Sequence, residues 1–387
     1  MFIKNHPVRQ LVLFIFILLS EYFSFGQSQD VWIRFRDTTT QQSGYKDVKG
    51  NIKIPAKFED FTRADSFYNI IAVYEKVDSS YRSYYLLKDG RKVGQDSVFM
   101  FDFMFDCESE GKIIYRDRKK DRVGFFDKRG VAIIQAIYNY VSPFRNGIAI
   151  VHRNAKRRCW DKVGDTTKCE HLGWEGGETI LINEKNEILA DSIKVNLNNI
   201  NWYSKKINAA SIDTSIYVSI KGKNNNTYSF VDYNKEFRKW FKTVFLPSLG
   251  QQNTLKDLLF NEITYWSVGK GWIAMEREEF LKKFPKKILP ARFETNKLKE
   301  ISMDKDMFNE LIYDKELYWK YLNSCGEHNN DKFPLFSVWI TFYKKRVKPL
   351  ENISSDFLKE YEIDYQEDFE FLRTENGYKL LSAPLEK

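Results

Sequence analysis

Histidine is scarce in this chain, with 4 among 387 residues. None sits in an H-E-x-x-H arrangement, and the chain holds neither a Gly-rich phosphate loop nor a G-x-S-x-G elbow. These absences remove the usual signatures of zinc peptidases, P-loop nucleotide enzymes and α/β-hydrolases, and leave no cofactor to expect. Cysteine is limited to Cys107, Cys159, Cys169 and Cys325. Two short pairs, Cys169 with His171 and Cys325 with His328, each offer two metal ligands where zinc needs three or four, so no metal is expected. Long low-complexity stretches are also missing, and 43% hydrophobic residues argue against a disordered chain. No apolar run is long enough to span a bilayer. The longest, Leu11 to Leu19, reaches roughly 14 Å as a helix, about half of a hydrocarbon core.

That short run has a context. Lys4 and Arg9 lie around its start, and a polar stretch ending Ser24-Phe25-Gly26 follows it. This is the three-part layout of a cleavable signal peptide over residues 1–26, with no membrane span left after cleavage. The expected location is outside the cytoplasm: periplasm, cell envelope or extracellular space. Without those residues the formal net charge falls from +8 to +7, mildly basic. For an exported chain, nucleic acid is a poor partner, and a protein or a cell-envelope polymer is the expected one. Cys159 and Cys169 bracket a polar loop that a disulfide could close, worth about 2–3 kcal/mol on chain-entropy reasoning. Nothing in the sequence brings Cys107 and Cys325 together, so both are expected to be buried free thiols.

A repeat runs through the first two thirds. Gly44-Tyr45-Lys46-Asp47-Val48-Lys49-Gly50 is echoed by Gly124-Phe125-Phe126-Asp127-Lys128-Arg129-Gly130, with Tyr84-Tyr85-Leu86-Leu87-Lys88-Asp89-Gly90 between them. The closing glycines are spaced by 40 residues each time. Each unit reads as an aromatic strand, an Asp-x-x-Gly turn with Gly in the left-handed position, and a half-buried strand such as Ile52 to Ile54. Fainter copies run from Ile180 to Asn186 and from Tyr228 to Asn234, with Asn in the glycine position. The cysteine-bracketed insertion separates the third copy from the fourth. Trp160 and Trp174 flank it beside Arg157 and Arg158, which makes these four the candidate ligand-binding residues, with core packing as the competing role for the tryptophans.

These units resemble the WG repeat of bacterial proteins, in which an aromatic-Gly-aromatic-aromatic-Asp-x-x-Gly turn is followed by Ile-Pro-x-x-aromatic and then Phe-x-x-Gly-x-Ala-x-Val. Val123 to Gly130 and Phe144-Arg145-Asn146-Gly147-Ile148-Ala149-Ile150-Val151 carry the likeness best. No Trp-Gly pair occurs in the chain. The resemblance implies interaction modules built of stacked β-hairpins, solenoid- or propeller-like, over residues 27–245, and it supplies no functional residues.

From Gln251 the pattern changes. Asn253 to Ile263, Met275 to Phe284 and above all Asp304 to Asn323 read as helices, the last with Phe308, Leu311, Ile312, Lys315, Tyr318 and Leu322 on one face. Leu335 to Tyr343 reads as a strand, and Phe369 to Arg373 joins Tyr378 to Leu381 across Glu375-Asn376-Gly377 as a hairpin. Residues 251–387 thus form an expected α+β domain, which resembles the cone-shaped NTF2-like folds in its helices followed by antiparallel strands. Trp266, Trp272, Trp319 and Trp339 read as its core. The carboxylate groups Glu278 with Glu279, and Asp364 with Glu367 and Asp368, read as charged surface rather than as a glycosidase pair. The functional expectation is an exported, non-enzymatic binding or scaffold protein. Its alternative is an envelope-associated hydrolase with a site in the C-terminal domain or the interdomain cleft, which predicts a deep pocket lined by carboxylates or by His328.

Overall fold

The structure is a computed structural model that describes residues 30–161, 169, 172–223, 225–249, 252–283, 293, 297–309, 312–313, 315–348 and 355–384. The signal-peptide expectation, His171, and the Phe284 to Pro290 stretch lie outside the described residues. Among those residues no helix is long and apolar enough to cross a membrane.

Each repeat unit is a three-stranded antiparallel meander with its second strand in the middle. The first unit consists of Trp32–Arg36, Ser43–Asp47 and Ile52–Phe58. The second is Ile70–Val77, Ser80–Leu87 and Lys92–Val93. The third is Lys112–Asp117, Arg122–Asp127 and Ala132–Tyr138. The fourth is Ile148–Arg153, Glu178–Asn183 and Ile188–Ala190.

The turn chemistry repeats with the strands. Asp47 Oδ1 accepts from the backbone N–H of Lys49 and Asn51, both at 2.9 Å, and Asp127 Oδ1 does the same for Arg129 and Val131 at 2.9 and 3.0 Å. In the fourth unit Asn183 Oδ1 takes the role, accepting from Lys185 and Glu187 at 3.0 and 2.9 Å. The position that closes the turn has φ of +89° at Gly50, +86° at Gly90, +75° at Gly130 and +63° at Asn186. Gly44 and Gly124 serve another purpose, because a Cβ there would stand 2.6 Å from Ile54 O and 2.3 Å from Ile134 O. Both face a bulge that lets the third strand cross close to the second, at the same register in the two units.

A lone meander cannot bury its apolar surface, and here both faces are covered by neighbours. In the second unit Ile71, Val73, Tyr84 and Leu86 pack toward Tyr45 and Phe58 of the first. The alternate residues Ile70, Ala72, Tyr85 and Leu87 pack toward Ile113 and Tyr115 of the third. The fourth unit sends Ala149, Val151, Ile180 and Ile182 back to the third, and Ile148, Leu181 and Ala190 forward to Trp202 and Phe230. The period-two alternation of each strand therefore places successive clusters between successive units, the first two of which share one seven-stranded sheet.

The pattern ends at Asp232. In the fifth sheet Thr227–Asp232 is again central, between Ile200–Ile207 and Tyr217–Lys221. Yet Asp232 caps a helix, Tyr233–Trp240, by accepting from Lys235 N at 3.0 Å. The expected left-handed turn at Asn234 is thus replaced by the first turn of a helix. This helix runs on through Phe241–Phe245 and lays Phe237, Phe241 and Phe245 on a six-stranded sheet. Phe237 stacks on Phe336 at 4.3 Å, and Phe245 meets Phe371 edge-on at 4.7 Å. Residues 233–245, grouped with the repeats from sequence, pack with the C-terminal sheet.

That sheet has the order Gly271–Glu276, Leu259–Ser267, Gly377–Ser382, Tyr361–Thr374, Leu335–Lys345, Lys299–Asp306, with one parallel pairing between Leu259–Ser267 and Gly377–Ser382. The hairpin across Glu375-Asn376-Gly377 and the strand from Leu335 are as expected. The helical expectations here are met in part. Gln252–Asp257 and Arg277–Lys283 are helices, whereas 259–263 and 275–276 belong to strands, and 304–306 ends a strand paired along Leu335–Lys345. Among the described residues of 304–323 only Lys315–Tyr318 and the 3-10 turn Trp319–Tyr321 are helical. The helix-like spacing arises because Phe308, Tyr313, Tyr318, Tyr321 and Phe333 knot together over Leu335, Leu372 and Leu381 on the sheet's other face. Trp266, Trp272 and Trp319 are not core: they are 53%, 47% and 72% exposed, and Trp339 is half-buried. Trp266 and Trp272 oppose each other on the hairpin at the sheet's edge, which leaves them open to solvent.

Candidate functional site

The insertion residues form a two-stranded hairpin in which Lys156–Cys159 pairs with Leu172–Glu175, setting Arg157 opposite Trp174. Cys159 and Cys169 are bonded to each other. Cys159, Asp161 and Cys169 lie close enough to hold an ion, but sulfurs committed to a disulfide offer no thiolate. The Arg157 guanidinium lies 4.0 Å from the Trp174 ring centre, Arg122 lies 5.5 Å from it, and Arg158 stands 4.8 Å from the Trp160 ring. Asp121 bridges Arg157 at 2.8 Å and Arg116 at 2.5 Å, and these partners, Arg157 foremost, hold its carboxyl down at about 2. Arg158 pairs with Glu175. Neither tryptophan belongs to a repeat core cluster, and Trp160 is 57% exposed. The four residues are brought together as two stacked pairs, Arg157 on Trp174 and Arg158 on a Trp160 ring that remains largely exposed.

A larger concavity lies elsewhere. A cleft of about 1170 Å³ runs between the edges of the repeats and the segment 322–332. Cys107 and Cys325, expected as free thiols, are bonded and clamp that segment down. The pairing was hidden by a separation of 218 residues, and it exists because the chain returns from the C-terminal sheet to the first units. Polar contacts reinforce the clamp. Ser66 N donates to Ser324 O at 3.0 Å, and Tyr233 Oη donates to Asp331 O at 3.0 Å. Arg145 pairs with Asp331, and Arg63 with Glu327.

The ionisable groups of the cleft divide by commitment. Glu108 accepts from the backbone N–H of Asn69 and Ile70 at 2.8 and 3.0 Å, and Glu110 accepts from Gly147 N at 2.9 Å. Both carboxylates therefore tie neighbouring units together. Burial pushes Asp106 up to about 7 against the opposing hydrogen bond from Ile114 N. Burial also pulls His328 down to about 4, although Phe333 O lies 2.6 Å from its Nε2. Except for His328, none of these groups was singled out from sequence. The one signal that could have found them was the pair of cysteines left over once Cys159 and Cys169 were matched.

The comparisons with known proteins are sparse. No curated protein matches the chain. Among solved structures, one described as a dehydratase of the NTF2-like family from Streptomyces avermitilis is 16% identical, covering 40% of this chain and 95% of its own, with a TM-score of 0.20, too low to bear on the fold. A family model described as "WG containing repeat" matches residues 124–156, which run from the central strand of the third unit past the first strand of the fourth, and this match supports a WG-repeat protein.

Proposed function

We propose that this chain is an exported, non-enzymatic binding protein whose ligand site is the cleft between the repeats and segment 322–332. The observation that carries the reading is the commitment of the cleft's charged groups. Glu108 and Glu110 brace backbone, while Arg145 and Asp331 neutralise each other. Binding needs a shaped wall of this kind, whereas acid–base hydrolysis needs two carboxyls left free at a defined separation. In this reading residues 1–26 direct export, the meanders form a solenoid- or propeller-like stack ending near Asp232, and the helix from Tyr233 opens an α+β domain. The ligand is a protein or a cell-envelope polymer, and the Trp160 and Trp174 hairpin is a secondary contact surface.

One observation favours a second reading, an envelope hydrolase. Asp106, held near 7, shares the cleft with His328, and a half-protonated carboxyl at neutral pH is suited to proton transfer. The test is a turnover screen of the full chain against glycosidase, peptidase and esterase substrates, with Asp106→Asn alongside. No turnover is the expected result. Turnover that Asp106→Asn abolishes would overturn the binding reading.

A further inference from the structure

We propose that the insertion hairpin and the turn beside it dock a linear polyanion, which rests on reading the hairpin as a contact surface and is independent of the cleft. The turn after Lys112–Asp117 and the insertion after Ile148–Arg153 each join the first strand of a unit to the second. The Asp-x-x-Gly turn at Asp127 joins the second strand to the third, and it borders the cleft through Lys128 and Arg129. Antiparallel pairing therefore puts the insertion and its neighbouring turn at one end of their units and the cleft at the other.

Two basic runs that are remote in sequence meet at that end. Asp121 pairs with Arg157 of the hairpin at 2.8 Å and with Arg116 of its own unit at 2.5 Å, and Arg122 and Arg157 share the Trp174 ring. Over residues 116–122, 156–161 and 172–175, eight cations stand beside four carboxylates. Lys120 pairs with Asp117 and Arg158 with Glu175. Arg118, Lys119, Arg122 and Lys156 are left without an ion pair among the described residues. Those four equal half of the formal excess of +8 carried by the whole chain. Holding like charges together costs free energy, and an anionic partner offsets that cost.

The surface is also set before any partner arrives. Asp117 Oδ1 accepts from Lys119 N and Lys120 N at 3.0 and 3.1 Å, and the Cys159–Cys169 bond closes the hairpin. Charges held in place lose little freedom on binding. The free cations are spread over a turn and two strands, which suits anionic groups repeated along a chain better than one small anion. Guanidinium groups match phosphate and carboxylate with paired N–H donors. An anionic bilayer fits less well, because the large apolar side chains exposed by the hairpin and turn are Trp160 and Leu172, little to bury in lipid.

The experiment is calorimetric titration of the full chain with inorganic polyphosphate and polygalacturonate, with phosphatidylglycerol vesicles and dextran as contrasts. At least one of the two soluble polyanions is expected to bind. Its affinity should fall about 50-fold between about 50 and about 200 mM salt, the loss for four neutralised cations on a single-stranded polyanion. Arg118→Gln, Lys119→Gln and Lys156→Gln together should weaken binding by about tenfold or more and cut the salt slope to about a quarter. These side chains are exposed and make no ion pair, so the fold does not rest on them. The matched control, Lys49→Gln, Lys128→Gln and Lys185→Gln together, removes equal charge from turns at the opposite ends of their units and should change affinity by less than about threefold. The assignment fails if neither polyanion binds at about 1 mM of charge, if the control weakens binding as much as the first variant, or if only the vesicles bind. Dextran binding that Trp160→Ala abolishes would keep the hairpin as a contact surface and overturn its anionic class.

Discussion

The repeats and the C-terminal sheet are both antiparallel in the main, yet they are assembled in opposite ways. A repeat unit joins strands that follow one another in sequence, and its core partners are the units before and after it. The C-terminal sheet pairs Leu259–Ser267 with Gly377–Ser382 and buries the helix from Tyr233 beneath strands that arrive a hundred residues later. Short-range assembly is governed by turns and alternation, and long-range assembly by aromatic packing that only the closed fold defines. The two regions should therefore fail in different ways.

The most severe way to break the contrast is to unlink the regions. Replacing Cys107 and Cys325 together by serine removes the constraint on a loop of 218 residues, worth about 5 kcal/mol in the chain-entropy model. Calorimetry should then resolve two unfolding transitions in place of one coupled transition. Next comes Phe371→Ala. Phe371 is fully buried and meets Phe237, Trp240, Phe241 and Phe245, so the substitution is expected to cost about 3–5 kcal/mol in denaturant unfolding. The loss should fall on the C-terminal transition of the unlinked protein and spare the other.

The repeat region also holds a carboxyl that burial pushes up to about 7, that of Asp106. A carboxyl raised in the folded state retains its proton while the unfolded chain has released it. Its contribution is therefore to lower stability as pH climbs from about 4 to about 7. His328, pulled down to about 4, acts with the opposite slope, because the unfolded chain takes up a proton first as pH falls below about 6.5. Asp106→Asn should flatten the loss toward neutral pH, as measured by midpoint denaturation from pH 4 to 8. The smallest effect is at a turn. Gly50→Ala meets no atom within 4 Å but keeps φ of +89°, so about 1 kcal/mol is expected. Gly124→Ala, which collides with Ile134 O, should cost more by the same measurement.

The same contrast explains how much could be read from the sequence. Asp47, Asp127, Gly50, Gly90 and Gly130 announce their turns because each acts on backbone within four residues of itself. Asn376 and Gly377 are legible for that reason too. The stretch 304–323 misleads because its aromatic spacing serves a three-dimensional knot around Phe308 and Tyr321, and that knot has no local period. Trp266 and Trp272 mislead in the other direction, since hydrophobicity alone does not reveal that their hairpin lies at the edge of a sheet. The insertion is legible as a unit through its flanking cysteines. The cleft is not, because its walls come from Asn69, Asp106, Arg145, Tyr203 and His328, residues whose only relation is that segment 322–332 folds back across the repeats.

The bond between Cys107 and Cys325 makes one covalent ring of everything between them, from the third unit through three of the six strands of the C-terminal sheet. A protease that nicks an exposed loop inside that ring releases no fragment. The two pieces stay joined until the bond is reduced, so a cut chain would migrate whole on a non-reducing gel and split on a reducing one. In the exported location proposed above, where no thiol pool would reverse the bond, damage to the peptide backbone would not by itself dismantle the cleft.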